Sequence, residues 1–199
     1  MIYSDKLYFD KMKLEDVYKF KNWGKHSISL YDDYNFYEDS KKDIEDWFSW
    51  KTHGRRVLYF TIFEEGEPIG YLSFKRINKF FKTAVLGIVL NPDKVSCGYG
   101  TEILLRMLSY YFNEMNFSKI YLSVAGYNDR AKRLYKKMGF RKYSSTIYFY
   151  PNGDIDFSDV EYTKFKKYFL SFFGKLFFYA DKMILDRNTF NEVVKCISN

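Results

Sequence analysis

Apolar positions change period several times along this chain, and each change marks an element. Residues 57–63 and 68–77 are dense in aromatic and β-branched side chains and read as strands, joined by Glu64-Glu65-Gly66-Glu67, a hairpin turn. After a turn over residues 78–82, residues 84–90 (AVLGIVL) form an almost continuous aliphatic run, as expected of a strand buried on both faces, and Asn91-Pro92 ends it. From Ile103 the period becomes helical: Ile103, Leu104, Met107, Leu108, Tyr111 and Met115 recur three and four residues apart. A strand over 119–124 follows, then a helix from Asn128 on which Ala131, Leu134, Tyr135 and Met138 share a face, with Gly139 at its end.

Upstream, residues 7–9 make a short strand, and Leu14, Val17, Tyr18 and Phe20 give the stripe of a helix over 14–23, closed by Trp23-Gly24. Ser40 is the N-cap of a second helix, with Asp43 at its third position and Ile44, Trp47 and Phe48 as its apolar stripe. Downstream, residues 143–150 and 155–165 read as a hairpin over Pro151-Asn152-Gly153-Asp154. The pattern predicts a mixed, mostly antiparallel sheet of about seven strands flanked by helices, an α/β (α+β) architecture. Residues 1–165 would form this domain, and 166–199 a C-terminal extension. Phe169, Phe172, Phe173, Leu176 and Ala180 could share one helical face, so the extension is expected to be helical and docked on the domain or on a second subunit of a homodimer. Its aromatic run over 166–180 is too short to span a bilayer; a helix lying on a membrane surface is the lesser alternative.

Length and composition narrow the classes. The 199 residues, 47% hydrophobic, suit one globular domain, without repeats or low-complexity tracts. Charge is mixed into every turn of MIYSDKLYFDKMK, so no export signal is expected there. Cys97 and Cys196 form no disulfide or ligand pattern, which points to a reducing cytoplasm, and with His26 and His53 they suggest no metal site. The net charge of +7 is mostly lysine, in a chain also rich in Phe, Tyr, Ile and Asn, a pattern that codon bias in an AT-rich genome produces. No basic arm or nucleic-acid motif appears.

Chemistry concentrates where the buried strand meets the helix. Gly98-Tyr99-Gly100 precedes Thr101-Glu102 at the helix start, where free N–H groups and the positive dipole end favour an anion and glycine lets it approach the backbone. No Lys-Ser/Thr ending makes it a nucleotide P-loop. Residues 85–140 resemble the acetyl-CoA-binding core of the GNAT superfamily of N-acetyltransferases. The family loop, Gln/Arg-x-x-Gly-x-Gly/Ala, is matched by Val95-Ser96-Cys97-Gly98-Tyr99-Gly100, with Val95 where the family prefers Gln or Arg. A second signature, Asn-x-x-Ala-x-x-Leu-Tyr-x-x-x-Gly-Phe, is matched from Asn128 through Ala131, Leu134, Tyr135 and Gly139 to Phe140.

The resemblance implies acetyl-CoA as cosubstrate and acetyl transfer to an amine through a tetrahedral intermediate. It implies that backbone groups of Ile88, Val89 and Leu90, splayed from the next strand at a bulge, hold the pantetheine and polarise the thioester carbonyl. The N–H groups of Val95, Ser96, Cys97, Gly98, Tyr99, Gly100 and Thr101 would bind the pyrophosphate. Asn128, with Ala131, would contact the pantetheine arm, and Tyr135 would protonate the departing sulfur. The layout is similar to the branch acting on ribosomal-protein N-termini, amino sugars, polyamines or aminoglycosides, so the partner is a small-molecule amine or a protein N-terminus.

An acidic, aromatic segment over 31–46 contains Asp32, Asp33 and Tyr34, suited to attract a cationic amine and wall it from water; the plainer reading is a solvated loop with helix N-terminal charge. No Asp or Glu lies within 84–90 to serve as general base. Water relayed to the acidic segment would take the proton. Two other classes remain open: a non-catalytic acyl-CoA-binding module, and an interaction protein docking through its aromatic tail.

Overall fold

A computed structural model describes residues 1–153 and 155–198, and the chain divides into two compact units, Met1–Ile120 and Tyr121–Asn199. The first unit is an antiparallel meander, β1 (Ile2–Tyr3), β2 (Leu7–Lys11), β3 (Leu58–Glu64), β4 (Glu67–Asn78) and β5 (Thr83–Leu90), each paired with the next. The β3–β4 turn places Glu65 at φ 50° and Gly66 at φ 87°, so both central residues are left-handed, as a two-residue hairpin of the right twist requires.

Helices α1 (Leu14–Phe20) and α2 (Lys41–Thr52) cover one face of this sheet, and α3 (Tyr99–Ser109) the other. Ser40 caps α2 as expected, its Oγ accepting the Asp43 N–H at 3.1 Å. Phe20, Trp23, Phe36, Ile44 and Tyr59 form the core under α1 and α2. Burying each such side chain is worth roughly 1.5–3 kcal/mol. On the opposite face Leu72 and Phe74 meet the α3 stripe, with the Phe74 and Tyr111 rings 4.9 Å apart. A π turn over Tyr110–Glu114 continues α3 and shifts the stripe, burying Phe112 while Met115 stays half-buried.

The second unit contains most of β6 (Lys119–Ala125), then α4 (Asp129–Lys137), β7 (Arg141–Phe149), α5 (Val160–Thr163), β8 (Phe169–Phe172), β9 (Lys175–Asp186) and α6 (Arg187–Ser198). Here two expectations are corrected. Residues 155–165 are not a strand: Ser158 bonds Asp156 at 2.6 Å, Asp159 caps α5, and Thr163 Oγ1 bonds the Asp159 carbonyl at 2.8 Å. These side chains satisfy backbone groups locally, and a turn replaces the ladder. Asp154 of the expected turn lies outside the described residues.

Nor is the aromatic stretch a helix. Phe169–Phe172 and Lys175–Asp186 form a hairpin whose turn residues, Phe173 and Gly174, sit at φ 49° and 67°. β9 pairs along β7, from Arg141↔Ile184 to Phe149↔Phe177, taking the place expected of 155–165. The helical part of the extension is α6, which buries Phe190. No helix among the described residues is long and apolar enough to cross a membrane.

Candidate functional site

The glycine loop is shaped by two left-handed residues, Ser96 at φ 69° and Gly98 at φ 88°. Such a conformation turns successive N–H groups toward one side, an anion-binding concavity. At Gly98 an added Cβ would meet no atom within 4 Å, so the approach to this backbone is open. Thr101 N–H turns back to the Gly98 carbonyl at 3.2 Å, whereas Tyr99 and Gly100 begin α3 without intrahelical acceptors. A phosphate-bearing ligand fits this donor set. Cys97 is exposed, its Sγ 3.7 Å from the Val95 carbonyl oxygen.

The loop is strapped to β3 by an acid that the sequence reading missed. Glu64 accepts from Lys94 Nζ at 2.7 Å and from the Tyr99 hydroxyl. The Lys94 ammonium first, then the Tyr99 hydroxyl, hold the Glu64 carboxyl below its usual range.

The strand leading to the loop is less buried than its aliphatic run predicts. Only Ala84 and Leu86 of β5 are buried; Ile88, Val89 and Leu90 are half-buried, which leaves their surface accessible at the end of the sheet. Their register with β4 is regular, Leu72↔Ile88, Tyr71↔Val89 and Gly70↔Leu90; the shift in this pair lies at the far end, between Lys75 and Asn78. Tyr71, Ser73 and Lys75 alternate on the α1/α2 face of β4. Tyr71 packs there against Trp47 at 5.5 Å and Phe20 at 6.0 Å. Burial pushes its phenol up, with Tyr59, Glu38 and Tyr34 adding to the shift.

Of the acidic segment, Asp32 and Tyr34 are half-buried in a 3₁₀ turn over Ser29–Tyr34, and Asp33 is exposed. Asp32 is committed locally, accepting from Asn35 Nδ2 at 3.1 Å and from the Tyr37 hydroxyl. Phe36, in the same segment, is buried in the core beneath. Upstream of the segment, Gly24 N–H donates to Asn91 Oδ1 at 3.1 Å, which ties the chain after α1 to the end of β5.

In the second unit Asn128 is buried and caps α4, its Oδ1 accepting the Ala131 N–H at 3.0 Å. Tyr135 is 9% exposed, with its ring edge-on to Phe140 at 5.7 Å. Gly139 takes φ 90° and ends the helix.

Residues 25–140 match the model of the acetyltransferase (GNAT) family. The chain belongs to that family. Among curated relatives, the spermidine N(1)-acetyltransferase of Escherichia coli (strain K12) is 26% identical over 112 residues, 56% of this chain and 60% of the relative. The Vibrio cholerae serotype O1 enzyme of the same name is 29% identical over 104 residues, 51% of this chain and 60% of the relative. The chain thus spans about 60% of the length of these relatives. The crystal structure of spermidine N-acetyltransferase from Vibrio cholerae in complex with CoA and spermine superposes with a TM-score of 0.67, covering 94% of this chain and 98% of that one at 18% identity. At that identity the likeness is one of fold: the mixed, mostly antiparallel GNAT architecture.

The GNAT signatures led directly to Gly98, Asn128 and Tyr135. They gave no indication of Glu64, Tyr71 or Lys75. For the last two a signal was present, because polar or hydroxylated residues recur at every second position of an otherwise apolar β4, the period of one sheet face.

Proposed function

We propose that this chain is a cytoplasmic acetyl-CoA-dependent N-acetyltransferase acting on a primary amine. The observation that carries the proposal is the open, left-handed Gly98 at the start of α3, the place where the family loop holds a pyrophosphate. In this reading the N–H groups from Val95 to Thr101 bind the pyrophosphate, while the backbone of Ile88, Val89 and Leu90 holds the pantetheine and polarises the thioester carbonyl. Asn128 has its Oδ1 engaged in capping α4, so its Nδ2 and the Ala131 turn are the groups left for the pantetheine arm.

The amine nitrogen adds to the carbonyl carbon to give a tetrahedral intermediate, which collapses as the carbon–sulfur bond breaks and Tyr135 protonates the departing sulfur. A phenol is acidic enough to protonate a developing thiolate when water is excluded. The ammonium must first lose its proton, which water relayed to the acidic segment would accept. Asp33 and Tyr34 steer and wall the amine, and Asp32 shapes the turn that presents them. The spermidine relatives support including polyamines among the acceptors tested.

The test is incubation with acetyl-CoA and a panel of primary amines, read by mass spectrometry of the product and by the rise in Tm on acetyl-CoA binding. Acetylated amine supports the proposal. A Tm rise without turnover on any amine returns the chain to an acyl-CoA-binding module.

A further inference from the structure

Lys51, near the end of α2, and Lys75, on β4, lie on the same face of the first unit. Lys51 Nζ stands over the rings of Trp50 at 4.4 Å and Trp47 at 5.2 Å. Lys75 reaches across to β5: a Cβ built on Gly87 would meet Lys75 Cε and Nζ each at 3.4 Å and Ser73 Oγ at 2.8 Å. Both lysines are half-buried. Among the described residues no carboxylate lies within 4.0 Å of either ammonium. Burial lowers the pKa of both; Lys75 further depresses Lys51, Arg76 further depresses Lys75, and Glu38 partly offsets the effect on Lys51. An ammonium that loses hydration with no carboxylate beside it is unfavourable unless an anion joins it. The position of Lys51 at a helix C-terminus explains part of its placement; nothing comparable explains Lys75.

The site is aligned with the chemistry. Gly87 and Val89 point to the same face of β5, about 7 Å apart as alternate strand residues are. Gly87 pairs with Ser73, and Val89 with Tyr71. An amine at the β5 end would therefore put a substituent about four to five bonds away over Gly87, beside Lys75.

We propose that Lys51 and Lys75 form a subsite for an anionic group on the acceptor, which is then a primary amine that also bears a carboxylate or a phosphate. The inference rests on the acetyltransferase reading and narrows its substrate. The acidic segment would receive the ammonium end and the lysines the anionic end, an arrangement unfavourable to a polyamine, whose second ammonium would face Lys75.

Initial rates with acetyl-CoA are compared for 4-aminobutanoate, O-phosphoethanolamine, 1,4-diaminobutane and spermidine. The expected kcat/KM for one or both anionic amines exceeds that for either polyamine by about tenfold or more, the effect of a charge-assisted contact. In the Lys51→Gln/Lys75→Gln variant that ratio falls at least about tenfold through KM, and Lys75→Arg restores part of it. A polyamine preferred by the parent, or a ratio that survives the double variant, overturns the inference. The first two acceptors distinguish carboxylate from phosphate. A second readout needs no turnover: 4-aminobutanoate and inorganic phosphate should raise the Tm of the parent more than that of the double variant, and equal rises would overturn the subsite. A lysine-dependent Tm rise with no amine acetylated would sink the acetyltransferase reading and leave the anion subsite standing.

Discussion

Lys94 Nζ lies 2.7 Å from Glu64 Oε2, and the Tyr99 hydroxyl donates to the other oxygen of the same carboxylate, so one side chain at the end of β3 ties both flanks of the glycine loop. The consequence is a loop whose N–H groups are aimed before any ligand arrives. Glu64→Gln should weaken acetyl-CoA binding by about fivefold or more, a fraction of the effect of hydrogen bonds to a charged group. Isothermal titration checks it, and an unchanged Kd would reduce Glu64 to a surface ion-pair partner.

The same acid has a pH signature. Its folded pKa is depressed, so its contribution to stability is fully present above the unfolded carboxylate value of about 4.3 and is lost as pH falls through the lower folded value. Below about pH 4 the parent should lose stability more steeply than Glu64→Gln. Parallel Tm curves for the two proteins would contradict this.

Gly139 tests the second unit by itself. At φ 90° it has Thr189 and Val193 methyl groups 3.1 Å, and a Leu185 methyl 3.2 Å, from where a Cβ would stand. Gly139→Ala adds left-handed strain to tight packing and should cost roughly 1–3 kcal/mol, read as a drop in denaturation midpoint. A loss within a few tenths of a kcal/mol would mean that α6 yields easily.

Within the acidic segment the structure separates two neighbours. Asp32 is held by Asn35 and Tyr37, whereas Asp33 is exposed. Asp33→Asn should raise the KM for the amine more at low than at high salt, as steering by an exposed charge does, with stability unchanged. Equal KM at both salts would leave Asp33 a solvated charge.

Much of this architecture was legible in the sequence because it is encoded locally. Ser40 three residues before Asp43, Glu65-Gly66 between alternating strands and Gly98 before an apolar stripe each act through their own backbone. The aromatic tail was misread because Phe169, Phe172, Phe173, Leu176 and Ala180 fit a helical period by chance. The local signal was Phe173-Gly174, a two-residue turn of the same left-handed kind as Glu65-Gly66. Residues 155–165 were misread for the opposite reason: Asp156, Ser158 and Asp159 are turn formers, and their local bonds outweigh the apolar residues among them. Glu64 was not legible at all, because its partner Lys94 is brought to it by tertiary packing, and Lys75 showed only as a polar position on β4, its neighbour Gly87 lying on another strand.

Tyr135 is nearly buried on α4, so packing and chemistry must be told apart. Tyr135→Phe keeps the ring against Phe140 and removes the proton. Turnover should fall by about 10²-fold with little change in acetyl-CoA binding, the usual loss for a general acid. Turnover within about threefold of the parent, with chemistry rate-limiting, would return Tyr135 to the core and leave water as the donor.

The most direct measurement follows free thiol and acetylated amine together, in one reaction of the purified protein with acetyl-CoA and a primary amine. Direct transfer predicts thiol and amide appearing in equal amounts, with both rates saturating in the amine. Thiol release at a rate independent of every amine offered, with no amide formed, would contradict the assignment as an N-acetyltransferase.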